Sequence, residues 1–227
     1  MRILLLATVS LLFLSSKAQL RIGIQGGYNH PRFSPGRSST SDFSYTTSPY
    51  MGFQAGMVTD ARLAQGWLLR SGLLINGKGT RLRRESSYDT SSWLMELHYL
   101  EIPLSIIHQW NAGKHWSIFA GAGGYAARAL RGIEKGEGKS ISGRNYSIYN
   151  AVRFHSQNLD NSGRPTIVNP FDFGVTFMAG VERGNLQLLL TYSQGLQRVF
   201  PKSHFFEDKF TTSVLSLSAT YFLRNNK

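Results

Sequence analysis

The strongest constraint on this chain is a stretch of strict two-residue alternation. Between Phe171 and Glu182, one parity holds Phe171, Phe173, Val175, Phe177, Ala179 and Val181, and the other holds Asp172, Gly174, Thr176, Met178, Gly180 and Glu182. Successive strand side chains point to opposite faces, so this segment reads as a strand with one face made for hydrocarbon and one for polar contacts. The same pattern recurs near the start, where Leu20, Ile22, Ile24 and Tyr28 oppose Arg21, Gly23, Gln25, Gly27 and Asn29. It recurs again near the end, where Leu215, Leu217, Ala219 and Tyr221 alternate with Ser216, Ser218, Thr220 and Phe222. Less regular strands fit residues 50–60, 67–80, 97–110, 116–130 and 186–197, which makes eight in all.

The links between these strands alternate in length. Long or medium links at 31–49, 81–96, 131–170 and 198–212 are separated by short ones at 61–66, 111–115 and 183–185. A sandwich has no reason to sort its loops this way. A barrel in an outer membrane does, with short turns on the periplasmic side and long loops outside. The expected fold is therefore all-β: an eight-stranded antiparallel up-and-down transmembrane β-barrel with long external loops and both termini periplasmic. Trp67, Trp110 and Trp116 fall at the short-turn ends of their strands. They are expected to form the membrane-interface aromatics of the periplasmic rim, because amphipathic indoles favour that boundary. The segment 131–170, with five glycines among Lys, Arg, Ser and Asn, is expected to be a mobile loop that could carry recognition.

The first residues fit export. Met1-Arg2 precedes the apolar run from Ile3 to Leu14, then small residues at Ser16 and Ala18. This predicts a signal peptide over 1–18 and a barrel domain over 19–227. The run is too short for a membrane helix, which needs about 20 apolar residues. The absence of cysteine excludes disulfides and a lipoprotein anchor. The formal net charge is +12, and the four long segments, taken from residue 78 in the second, carry 15 Lys and Arg against 9 Asp and Glu. Such loops suit lipopolysaccharide phosphates. Nucleic acid is not an expected partner, since the charge is not gathered on one element of an exported chain. Outer-membrane lipid and lipopolysaccharide, with envelope or secretion proteins, are the expected surroundings of a monomeric barrel.

The polar parity of the strands implies a filled lumen, because eight strands enclose room for side chains or one small ligand and not for an aqueous channel. Gln54, Arg70, Asn76, Lys78, Glu101, Asp172 and Glu182 all fall on inward positions and are expected to form one polar network, with Glu101 paired to Arg70 on the neighbouring strand. Pro103, which lacks a ladder donor, is expected to mark a bulge or bend. Six histidines, at 30, 98, 108, 115, 155 and 204, are scattered, and no nucleophile elbow, zinc motif or phosphate loop is present. Catalytic, cofactor and metal sites are accordingly not expected. Two rival readings stay open: a barrel enzyme acting on membrane lipid, with His98 beside Glu96 or Glu101 as base and orienter, and a secreted β-sandwich binding module.

The string Tyr99-Leu100-Glu101-Ile102-Pro103-Leu104, followed by Ser-Ile-Ile-His-Gln-Trp, resembles a mid-barrel strand of the PorT-like outer-membrane β-barrel family of Bacteroidetes. Ile22-Gly23-Ile24-Gln25-Gly26-Gly27-Tyr28-Asn29, the Gly-rich stretch Phe119 to Tyr125, and Leu190 to Leu196 agree with it. The resemblance implies an eight-stranded outer-membrane barrel, in a family whose namesake is linked to type IX secretion.

Overall fold

A computed structural model of the chain describes residues 20–35, 37–39, 43–86, 89–140, 143–156, 167–201 and 209–223. The expected signal peptide lies outside the described residues. The strands are β1 (Leu20–Ser34), β2 (Arg37–Ser39), β3 (Phe43–Ser48), β4 (Gly52–Ala64), β5 (Trp67–Ser86), β6 (Asp89–Asn111), β7 (Trp116–Ser140), β8 (Asn145–Ala151), β9 (Arg153–Phe154), β10 (Ile167–Val168), β11 (Phe171–Arg183), β12 (Leu186–Gly195) and β13 (Thr211–Phe222).

Eight of them close a ring. β1, β4, β5, β6, β7, β11, β12 and β13 each pair antiparallel with the strand before and after, and β13 pairs back onto β1. Closure leaves no ring strand with a free edge, which is what permits strands to stand in lipid. A circuit of register partners from Leu20 runs through Ala61, Leu69, Ile106, Ala122, Phe177, Tyr192 and Leu215 and returns to β1 at His30, ten residues higher. With ordinary strand rise and spacing, that stagger tilts the strands by about 40°. Each step around the ring thus lifts the next strand by a little over one residue.

Parity holds through the ring as the alternation predicts. Phe171, Phe173, Val175, Phe177 and Val181 are exposed on the outside, while Asp172, Thr176, Met178 and Glu182 are buried inside. Leu20, Ile22 and Ile24 on β1, and Leu215, Leu217 and Tyr221 on β13, likewise face outward. The short links are tight turns, and Gly66 and Gly184 take φ of +77° and +60° there, where a side chain would be strained.

The long links differ from expectation. Residues 81–96 are not a loop, because β5 and β6 stay paired as far as Glu85 and Thr90. Nor is the first half of 131–170: β7 runs on to Ser140, and β8 folds back along it from Lys139 to Ile133. In the 31–49 link, β1 continues to Ser34 and β3 pairs with the upper end of β5. The physical reason is an inversion of polarity. Above the apolar band Leu82, Trp93, Met95 and Leu97 point inward, while Arg81, Arg83, Lys135 and Glu137 point outward. That is the pattern of a strand in water, and it hides from a search for lipid-facing strands. Inside this extension Phe33, Leu82, Trp93, Met95, Phe200 and Phe210 build an apolar core. Phe200 sits between Phe33 and Phe210, edge to face at 5.7 and 5.9 Å.

Candidate functional site

The barrel interior is filled at two levels by ion pairs. The upper level centres on Lys78, which is wholly buried and bridges Glu101 at 2.8 Å and Asp172 at 2.9 Å. Its ammonium also lies 3.9 Å above the Tyr125 ring. Asp172 accepts hydrogen bonds from the Tyr125 hydroxyl at 3.1 Å and the Thr212 hydroxyl at 3.0 Å. Asn76 donates to Glu101 at 3.1 Å and accepts from Asn29 at 2.6 Å. Gln54 donates to Ser218.

The lower level, near the short turns, centres on Asp60, which is fully buried. Arg70 grips it through two nitrogens at 2.7 and 2.8 Å, and Arg21 reaches the same carboxylate at 3.0 Å. Arg21 also holds Glu182 at 2.8 Å and lies 4.1 Å over the Phe222 ring. Gln187 accepts from Arg70 at 2.6 Å and donates to Glu182, so the level closes on itself. Between the two levels lies a cavity of ≈ 40 Å³ lined by Gln25, Gln54, Arg70, Asn76, Glu101 and Thr176 among others. That is room for a few waters and too little for an organic ligand.

All seven inward residues read from the sequence are buried in the lumen, but six of them divide between two networks rather than one, and Gln54 bonds to Ser218 apart from both. The expected Glu101–Arg70 pair is corrected: Glu101 pairs with Lys78, and Arg70 with Asp60. Register and tilt give the reason. Glu101 stands opposite Leu74, four residues from both Arg70 and Lys78. The climb of the ring lifts Glu101 toward Lys78, while Arg70 has Asp60 directly opposite on β4. Leu74, Glu101, Ala127 and Asp172 follow one another in register, so after three steps Asp172 has climbed about four residues and stands level with Lys78. Asp60, Arg21, Asn29, Tyr125, Thr212 and Gln187 were missed. The parity of Arg21 and Asn29 was visible, whereas the others declare themselves only through register.

Pro103 does not shift the register. The β5–β6 pairs lapse beside it, between Ser71 and Leu74, and the offset is unchanged on resuming. Ser71 donates its hydroxyl to the Pro103 carbonyl at 3.0 Å, and the register shift along β6–β7 lies instead opposite His98/Tyr99, where β7 carries the extra residue Leu130. His98 and Glu101 cannot act together, since His98 is exposed on the outer face and Glu101 is buried inside. Glu96 is engaged by Lys135 at 3.6 Å. His204 lies outside the described residues. Among the described residues no three acidic or histidine side chains converge as a metal site.

On the outer face Trp67, Trp110 and Trp116 are each about half exposed, at 45, 47 and 46 %. Trp67 packs on His108 at 4.6 Å and Trp110 on the same ring at 4.5 Å, while Arg183 lies 5.3 Å over Trp116. With the tilt above, the three indoles fall within about 4 Å of one level. The fourth, Trp93, is buried in the apolar core of the extension.

No curated protein matches the chain. Among solved structures it is similar to OprG from Pseudomonas aeruginosa, at 10% identity over 90% of this chain and 96% of that one, with a TM-score of 0.47. It is also similar to Neisserial surface protein A, at 14% identity over 88% and 96%, TM-score 0.40. A third is Ail, the attachment invasion locus protein of Yersinia pestis, in complex with the heparin analogue sucrose octasulfate, at 12% identity over 90% and 99%, TM-score 0.39. The profile described as outer membrane protein beta-barrel domain matches residues 15–201, most of the length. The chain therefore belongs to the outer membrane protein β-barrel domain family.

Proposed function

We propose that this outer-membrane barrel is a non-enzymatic, monomeric component of the envelope that anchors an external β-structured extension and presents it to a partner protein. The observation that carries this reading is the filled interior. Two ion-pair levels and an apolar core of Phe33, Leu82, Trp93, Met95, Phe200 and Phe210 occupy the lumen from the short turns to the extension. A barrel so filled works through its outer surfaces. The parity that separates His98 from Glu101 weighs against the lipid-modifying alternative.

In this reading residues 1–18 are removed on export, both ends of the barrel domain face the periplasm, and the extension of β5 to β8 stands outside. Outer-membrane lipid and lipopolysaccharide surround it, and the partner is an envelope or secretion protein. The Glu-Ile-Pro-Leu string at 101–104 resembles the PorT-like family, which favours a secretion apparatus of type IX in a member of the Bacteroidetes. A strain lacking the gene, assayed for secreted protein, envelope integrity and surface adhesion, tests the role. Loss of secretion restored by the wild-type chain, and equally by Glu101→Gln and His98→Gln variants, is the expected result. Failure of either variant to restore it despite an intact barrel would revive the enzyme.

A further inference from the structure

The outer face of β7 combines two features that no other ring strand shares. Above Ile118 its outward residues through the apolar band are small: Ala120, Ala122, Gly124 and Ala126. On either side stand large ones. Ala122 lies between Ile106 and Phe177, Gly124 between Leu104 and Val175, and Ala126 between Ile102 and Phe173. These flanking side chains are exposed, so together they wall a channel about 13 Å long down the lipid face, from Ala122 to Ala126.

The channel ends at a cluster of cations. Arg128 continues the outward parity of β7, between Leu100 and Phe171, and Arg131 and His98 are partners on the next outward-facing pair above, beyond the bulged Leu130. All three are exposed, and none makes an ion pair or side-chain hydrogen bond among the described residues. The outward carboxylate on the same stretch of β6, Glu96, is engaged by Lys135, and Glu137 lies further up β7. Height is the independent observation. Arg128 is twelve residues from Trp116 along β7, and His98 twelve from Trp110 along β6. At a tilt of about 40° either distance is about 30 Å, so the cations stand at the headgroup level opposite the tryptophan girdle. Charge at that height, over an acyl-sized channel, is complementary to a phosphorylated lipid.

We propose that this face of β7 holds a phosphorylated glycolipid of the outer leaflet, its phosphate at Arg128, Arg131 and His98 and one acyl chain in the channel below. The inference rests on the orientation proposed above, with the extension outside. Arginine forks match phosphate oxygens in paired hydrogen bonds, and at a membrane interface these are little competed for by water. The occupant fills the channel that the small residues leave between its walls.

The test uses the full chain in neutral detergent, with bisphosphorylated lipid A and its dephosphorylated form as probes. The wild type is expected to prefer the phosphorylated lipid by roughly tenfold or more, and the triple variant Arg128→Gln, Arg131→Gln, His98→Gln to lose that preference. Ala122→Phe with Ala126→Phe is expected to weaken both lipids alike. A heat-dependent gel shift in every variant shows that the barrel is intact. Should the triple variant fail to close, the wild type alone decides, since its preference must shrink as salt rises. Equal binding of the two lipids by the wild type, undiminished binding by a closed triple variant, or full displacement by inorganic phosphate overturns the proposal. Orientation is checked separately. The chain has no cysteine, so Ser92→Cys offers a single thiol to an impermeant maleimide on intact cells. Labelling only after lysis would overturn the orientation without touching the binding result.

Discussion

Lys78 is the residue on which the upper lumen turns. A buried ammonium shared by two carboxylates is costly to disturb from one side only, because each partner then faces low dielectric without compensation. Lys78→Met should therefore destabilise the barrel by about 3–5 kcal/mol, read from urea unfolding in phospholipid vesicles. Adding Glu101→Gln and Asp172→Asn to it should restore most of the loss, because neutral amides keep hydrogen bonds without stranding charge. Arg83 and Glu85 make an equally short pair at 2.9 Å but lie largely in water. Arg83→Ala should shift stability by no more than about 0.5 kcal/mol in the same assay. The seven inward residues were legible one by one from parity, yet their pairing was not. Whether Glu101 meets Arg70 or Lys78 depends on the climb of the ring, which is a property of all eight strands together.

At the scale of the element, what decided legibility was which solvent a strand faces. Phe171 to Glu182 could be read at sight because hydrocarbon lies on one side and polar packing on the other. The upper parts of β5, β6 and β7 carry the opposite pattern, with Leu82 and Met95 inside and Arg83 and Lys135 outside, and so resembled loops. The reversal itself marks where the strands leave the bilayer. It predicts different fates for the four tryptophans. In single-tryptophan variants refolded into vesicles, lipids brominated near the headgroup should quench Trp67, Trp110 and Trp116 strongly. Trp93, packed in the core of the extension, should be almost untouched; its quenching to the same degree would mean that the extension sits in lipid.

For the whole molecule, the filled interior has an electrical signature. A ring of eight strands with ion pairs at two depths and phenylalanines above them should show no stable conductance steps in a planar bilayer, whereas an open porin gives them readily. Long-lived steps from heat-modifiable, folded protein would contradict the packing described for Phe33, Phe200 and Phe210. The fold was readable at this scale because loop lengths alternate around a closed ring; a partner's identity is not, because recognition depends on surface shape that no periodicity encodes. The closure of β13 onto β1 carries a consequence for biogenesis. Those two strands are the farthest apart along the chain, so the first cannot be satisfied in lipid until the last has crossed. A chain halted before Thr211 exposes two bare hydrogen-bonding edges, and insertion is all or nothing, with β13 as its final checkpoint.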